Sequence, residues 1–299
     1  MPQRTWRRPL DEGLRDAYLT RLGFPSPPPP TLDTLRALHR AQIEGVPYEV
    51  VWIALREPRT VEPLDSMGYL VSGRGGYCYH LNGALAVLLD WLGFDVHLRV
   101  GGAQGRNDPV APGATGTHMA IEVHGLPAPG CAGGRWFVDT GLGDGLRDPL
   151  PLVPGDHRAD PFRFRLRPSD VVPGGWRFDH DPRGAFAGMD FAPSEASIAD
   201  FTDKHRELST APDSGFVRTV TVARREGRVI HELRGLALQT VAPGGEDSSV
   251  LTARADYFAA LADLFRLPLS DVDESRRGVL WNRLREDHER YLLAQTGSQ

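Results

Sequence analysis

Apolar positions in the first third of the chain recur at helical spacing. Leu14, Tyr18, Leu19 and Leu22 share one face of a predicted short helix that ends at Gly23, ahead of the proline run Pro27 to Pro30. A second predicted helix starts at Thr31, carries Leu32, Leu35, Leu38 and Ile43 along one side, and stops before Pro47. The clearest helix follows Cys78, where Leu81, Ala84, Leu85, Leu88, Leu89 and Leu92 keep the i, i+3, i+4, i+7 pattern up to Gly93. Beyond Gly93 the period falls to two. Val96, Leu98 and Val100 alternate, as do Thr117, Met119, Ile121 and Val123, and then Trp136, Val138 and Thr140, so the middle third reads as a sheet or barrel. The Pro- and Gly-rich stretch 144–175 holds Phe162 and Phe164 and ends beside Trp176, and is expected to be an ordered irregular insert. Residues 216–223 and 229–233, around Glu226-Gly227, predict a hairpin in a third unit. Tyr257, Leu261, Leu264 and Phe265 predict a closing amphipathic helix, and the charged stretch from Arg276 towards Tyr291 a surface helix.

Composition narrows the function classes. A length of 299 residues suggests two or three packed units rather than one domain. Hydrophobic content of 40% with 24% charged residues describes an ordinary globular protein, and no apolar run approaches a membrane span. The net charge of -5 comes from interleaved acids and bases, with no basic stripe to neutralise a phosphate backbone, so nucleic acid is excluded as a partner. The opening MPQRTWRRPLDEGLRD has arginines but no apolar run behind them; it does not read as a secretory signal, and the cytoplasm is the expected location. Cys78 and Cys131 lie in different contexts, and no disulfide is expected between them. His39, His80, His97, His124, His157, His180, His205, His231 and His288 do not combine with cysteines or carboxylates at metal-ligand spacing, so no metal is expected. The glycine-rich segments 73–76 and 141–145 match neither the dinucleotide nor the P-loop fingerprint.

Cys78 changes the picture. It stands in RGGYCYHLN (74–82), just after a glycine pair and at the start of the clearest helix. A thiol is a weak nucleophile until deprotonated, and the first turn of a helix favours the thiolate through unpaired N–H groups and partial positive charge. Gly75 and Gly76 allow a tight turn and leave room beside the sulfur. On this segment alone a small buried residue at a helix start fits equally well, because free cysteine is among the most buried residue types. THMAIEV and RWFVDTGLG supply partners. His118 and Asp139 sit in alternating segments, opposite in facing to Met119, Ile121, Trp136 and Val138. Paired as a long hairpin about the loop 127–134, these strands bring Asp139 beside His118 and aim the imidazole at Cys78. The set then comprises a nucleophile, a base, and a carboxylate that orients the base. Cys131, in a Pro/Gly loop, reads as an incidental thiol.

RGGYC (74–78), THM (117–119) and VDTGLG (138–143) together resemble the signatures of arylamine N-acetyltransferases: an RGG-x-C segment, a THM-containing strand and a VGFG-type strand end bearing the aspartate. VPYE (46–49) is similar to the family's VPFEN, LGF (92–94) follows the nucleophile helix, and STAPDSGFVR (209–218) resembles its SP-x-SPF stretch. The resemblance implies an α+β fold with a helical N-terminal domain (1–92) carrying the nucleophile. A central β-barrel domain (93–205) carries the histidine and aspartate, and a C-terminal α/β lid (206–299) follows. The order agrees with the hydrophobic pattern. A cysteine-protease-like triad of Cys78, His118 and Asp139 is implied, moving an acyl group by a ping-pong route from acetyl-CoA or another acyl-CoA to an arylamine, hydrazine or related amine. No permanently bound cofactor and no membrane partner is implied. Tyr77, Thr117, Leu142 and Phe216 are implied for substrate, and Gly141, Gly143 and Ser214 for the acyl-CoA. Glu49, Arg74 and His80 are implied as structural near the site, with Glu49 and Arg74 paired beneath it.

Three positions depart from the family pattern. His80 stands where a Glu or Gln is usual, Val50 replaces the PFEN asparagine, and Leu142 replaces the VGFG phenylalanine. They bear on the substrate, and the loss of a ring at Leu142 suggests a bulkier amine or longer acyl group. Relatives that form amides in natural-product biosynthesis keep an acyl carrier protein open as the donor. A cysteine hydrolase or transglutaminase-like enzyme would share the triad order, and a non-catalytic binding protein could share the fold.

Overall fold

The structure, a computed structural model, describes residues 4–296. Helix α1 (Glu12–Arg21) is capped by Asp11, which accepts from the Leu14 N–H at 2.9 Å, and α2 (Leu32–Gly45) by Thr31, which accepts from the Thr34 N–H. A two-residue strand β1 (Tyr48–Glu49), the helical turn α3 (Val51–Ala54) and α4 (Pro63–Val71) lead to α5 (Cys78–Trp91). Every residue of α5 from Cys78 to Leu89 is buried, so this helix is the axis of the main core rather than an amphipathic surface element. It ends as expected before Gly93, whose φ of 90° suits glycine.

The middle of the chain forms an antiparallel eight-stranded sheet that curls into a nearly closed barrel. Its strands are β2 (Asp95–Gly105), β3 (His118–His124), β4 (Trp136–Val138), β5 (Leu150–Pro151), β6 (Gly155–Ala159), β7 (Phe162–Pro168), β8 (Trp176–Asp179) and β9 (Phe186–Phe191), in the order β5-β4-β3-β2-β9-β8-β7-β6. Both faces of β3 are used: Met119, Ile121 and Val123 pack with α5, while Ala120 joins Phe137, Phe162, Phe164, Phe178 and Phe191 in a second core. Stretch 144–175 is ordered but not irregular, because β5, β6 and β7 lie within it. Phe162, Phe164 and Leu166 are buried and alternate with exposed Arg163 and Arg165, a period-two signal that the flanking prolines obscure.

Helix α6 (Ala199–Thr210) runs through the boundary expected at 205–206, and the turn α7 (Gly215–Arg218) occupies the start of the expected hairpin. The hairpin itself is β10 (Thr221–Glu226) with β11 (Val229–Arg234), continued by β12 (Ala237–Ala242) and β13 (Gly245–Val250). Strand β1 closes the edge of this five-stranded sheet, with Tyr48 opposite Ala223 and Glu49 opposite Val222. Helices α8 (Arg254–Asp263) and α9 (Glu274–Thr296) cover it, and Tyr257, Leu261 and Trp281 share a core with Val51 and Ala54. No helix among the described residues is long and apolar enough to cross a membrane.

Glu49 ties these parts together. It is fully buried; one carboxylate oxygen accepts the Val51 N–H at 2.7 Å, and the other lies 3.4 Å from Arg59 Nη1 and 4.0 Å from Arg74 Nε. Arg74 instead spends its hydrogen bonds on Glu57 at 2.9 Å and Asp271 at 2.8 Å. The expected Glu49–Arg74 pair is thus a long contact inside a six-charge cluster that Arg276 closes at Glu57, because the guanidinium must also reach the loop before α9. Glu49 N–H meets Gly76 O at 2.9 Å, and Gly75 approaches so closely that a Cβ there would lie 2.1 Å from Pro47 O. Removing the Glu49 charge takes from buried Arg59 its nearest carboxylate, at 3.4 Å, and leaves a neutral amide to meet the Val51 N–H and two guanidiniums. Glu49→Gln is expected to lose about 3–5 kcal/mol in chemical denaturation. Arg74→Met should cost less, since Glu57 and Asp271 are 21% and 57% exposed and water can meet them; denaturation midpoints of the two variants test that order.

Candidate active site

Cys78 opens α5, its N-cap Tyr77 provides no side-chain cap, and the cysteine is only 3% exposed. The first-turn N–H groups therefore keep their partial charge beside the sulfur. Sγ lies 3.8 Å from Thr117 O, at the mouth of β3. The antiparallel register of β3 and β4 sets Ile121 opposite Val138; continued outward, it places Asp139 opposite Ala120, with His118 two residues on along the same face. The hairpin expected about loop 127–134 is this pair, though it is short, with three paired residues on each strand. His118 Nε2 and Asp139 Oδ2 meet at 2.7 Å, which leaves Nδ1 for the Cys78 thiol within hydrogen-bonding reach. Burial pushes the His118 imidazole down, but the charges of Asp139 and Cys78 and the hydrogen bonds to both raise it to about 10. The ring is then an imidazolium throughout the neutral range.

Asp139 is held from three sides. Its Oδ1 accepts from Asn82 Nδ2 at 2.8 Å and from the Gly141 N–H at 2.9 Å, and its carbonyl faces His39 Nε2 at 3.0 Å. Asn82 also donates to Met119 O at 2.7 Å and accepts the Thr140 N–H at 2.9 Å. Gln42 donates to Thr140 Oγ1 at 2.7 Å and to Leu81 O at 2.9 Å. Sequence reading missed all three supports. Asn82 was findable, since it lies four residues after Cys78 and hence on the same helix face. His39 and Gln42 carry no such signal, because their contacts join segments far apart in the chain.

The other expected residues divide. Gly141 lies against the nucleophile, where an added Cβ would sit 2.6 Å from Cys78 Cα, and Gly143, with a φ of 74°, packs on Tyr48 and Ala223. Leu142 is half-buried against the barrel core. Thr117 presents its carbonyl to Cys78, while its hydroxyl accepts the Ala103 N–H at 3.1 Å. Tyr77 is not open to substrate as a side chain: its ring is fully buried against Trp52, Tyr79, His80, His205 and Phe216, and its hydroxyl bonds His205 Nδ1. An N-cap residue turned into the core cannot face the cleft as well. Phe216 is half-buried edge-on to that ring. The Ser214 hydroxyl is engaged within the chain, donating to Leu208 O at 2.6 Å and accepting the Phe216 N–H to cap α7. His80 is fully buried and kept neutral by burial, then by Arg59 and His205. Tyr48 was not expected; burial, then the neighbouring Cys78, push its hydroxyl well above the usual value. A separate cavity of about 1460 Å³, lined by Trp52, Arg59, His205, Val217, Arg276 and Arg283, includes no triad residue.

Residues 31–274 match the family described as N-acetyltransferase. The arylamine N-acetyltransferase of Mycolicibacterium smegmatis is 30% identical over 270 residues, covering 85% of this chain and 92% of that protein. The chain belongs to the arylamine N-acetyltransferase family. The Mycobacterium marinum arylamine N-acetyltransferase superposes with a TM-score of 0.80 at 28% identity, covering 90% of this chain and 98% of that one. The same enzyme in complex with CoA gives 0.79 at 27% identity, covering 90% and 97%. This arylamine N-acetyltransferase family member is therefore an acyltransferase by descent and by fold.

If His118 stays charged up to about pH 10, the sulfur beside it faces a cation at every neutral and mildly acid pH. Iodoacetamide is expected to label Cys78 rapidly already near pH 6, because the adjacent cation favours the thiolate that reacts. His118→Ala should abolish that acid-side reactivity, and Asn82→Ala should weaken it by freeing Asp139. Labelling rates against pH for the three proteins, read by peptide mass, check the assignment.

Proposed function

We propose that this chain moves an acyl group, acetyl or longer, from coenzyme A through a thioester on Cys78 to an arylamine, hydrazine or related amine. The observation that carries this reading is Cys78 at an uncapped helix start, nearly buried, within reach of the His118–Asp139 pair. The complex of the Mycobacterium marinum relative with CoA supports coenzyme A as the donor. In the first half-reaction the Cys78 thiolate attacks the acyl carbonyl, the C–S bond to CoA breaks, and the departing thiolate takes the proton of the His118 imidazolium. Open N–H groups of the first turn of α5 can meet the oxyanion. In the second, the amine attacks the Cys78 thioester and passes its proton to His118, whose charge Asp139 balances. Amide formation releases the thiolate and restores the imidazolium pair. Exchange between two thioesters is nearly balanced, and the amide drives the cycle.

Burial of the nucleophile also favours transfer over hydrolysis, because water has little access to the thioester. We assign Thr117, Leu142 and Phe216 to the substrate side and Gly141, Gly143 and Ser214 to the acyl-CoA side. His80, Glu49 and Arg74 act as supports. The three-unit division, with the last unit as a lid, belongs to the same proposal, as do a cytoplasmic location, where the thiol stays reduced, and an acyl carrier protein as an alternative donor.

Incubation with a panel of acyl-CoA thioesters, and with an acyl carrier protein thioester, should add one acyl mass to the intact chain. Cys78→Ala should acquire none. Label on Cys131, or acyl mass on Cys78→Ala, would sink the assignment. Leu142→Phe tests acceptor size. Filling a ring-sized space should shift the ratio of large- to small-substrate kcat/KM by at least ~1 kcal/mol, about fivefold; a shift within about twofold means Leu142 does not shape the pocket.

A further inference from the structure

We propose that Asp95, His97 and His124 form a binding site for a first-row divalent ion of the zinc type, at the end of β3 opposite to His118. One ligand atom from each residue lies within 4.8 Å of the others. The pairing of β2 with β3 creates the cluster: Asp95 faces His124 and His97 faces Glu122, and the two imidazoles lie 4.0 Å apart between centroids with their planes tilted by 31°. Linear spacing hides this, because Asp95 and His97 meet His124 only across the strands, which is why the sequence suggested no metal.

The arrangement around the histidines is what a metal site needs. His97 Nδ1 meets Glu195 Oε2 at 2.7 Å, and His124 Nε2 meets Glu122 Oε2 at 2.8 Å. Glu195 can take a ring N–H of His97 and so leave the other nitrogen its lone pair, as second-layer carboxylates do for metal-bound imidazole, while His124 Nε2 lies between the Glu122 carboxylate and Arg135 Nε at 3.3 Å. Glu122 is fully buried and also accepts from Arg99 Nη2 at 3.1 Å and Arg135 Nη2 at 2.9 Å. A cation already uses the lone pair on His97. Arg4 Nη2 sits 2.6 Å from Asp95 Oδ1 and 2.9 Å from His97 Nε2, a guanidinium where the ion would bind. Arg4 can leave without unfolding its neighbours, because the chain there is anchored by buried Trp6, whose indole N–H donates to Glu195 at 3.0 Å. A tetrahedral ion with bonds of about 2.0–2.1 Å wants its ligands about 3.4 Å apart. Asp95 Oδ1 and His97 Nε2 already lie 3.5 Å apart, and the partly exposed His124 ring completes the set within 4.8 Å. Two imidazoles with one carboxylate suit zinc, nickel or copper and not magnesium, which prefers oxygen ligands.

The test is calorimetric titration with zinc chloride of tag-free, chelator-treated chain carrying Cys78→Ser, so that the nucleophile cannot capture the ion. One zinc per chain is expected, with no response to magnesium. Adding His97→Ala should lower affinity at least tenfold, and Glu195→Gln by roughly 10–100-fold. Arg4→Met should tighten binding several-fold, because it removes the competing cation from the surface; this variant answers even if a histidine variant melts early. Equal zinc affinity with and without His97, no gain in Arg4→Met, or equal binding of magnesium would overturn the proposal.

Discussion

A carboxylate buried in a protein core must be met by donors from every direction or it will not stay charged. Asp139 imposes that constraint here, and the main core is arranged to satisfy it. One oxygen faces the His118 imidazole, the other takes an amide proton from Asn82 and the backbone N–H of Gly141, and its carbonyl faces His39. Those donors come from β3, α5, the loop after β4, and α2. Helix α5 must therefore present Cys78 and Asn82 on one face, and β3 must end at His118. The chemistry of the thiol follows from this, since the same negative charge keeps the imidazole protonated.

Glu49 meets the same constraint with less freedom. It is buried among two guanidiniums and two backbone N–H groups, and the strand that carries it bonds to Gly76 on one side and to β10 on the other. Glycine at 75 is required by that closeness rather than by the chemistry of the thiol. The RGG segment so doubles as a structural seam and as the approach to the nucleophile. Its arginine is the member that links the seam to the chain before α9, through Asp271.

Periodicity made the helices at the start of the chain and the alternation of β2, β3 and β4 legible, because each buries residues at its own repeat. The triad was legible for the same reason: the hairpin register follows from alternation, and it brings His118 and Asp139 to the helix start, where Cys78 alone had two readings. What stayed hidden is set by contacts distant in sequence. Phe162, Phe164 and Leu166 alternate plainly, but Pro161 and Pro168 mask the strand. The inward turn of Tyr77, the support from His39 and Gln42, and the long Glu49–Arg74 distance depend on which other elements arrive nearby. Local pattern carries no information about those arrivals.

The seating of β1 on β10 has a consequence for how the molecule comes into being. Tyr48 pairs with Ala223, and between them lie the nucleophile helix and the whole barrel. While the chain leaves the ribosome from its first residue onward, β1 has no sheet to join until β10 has emerged. The seam before Cys78 is thus finished late, after the barrel strands that carry His118 and Asp139 are already out. Long-range pairing of this kind slows folding, and it couples the birth of the reactive thiol to the completion of the fold around it.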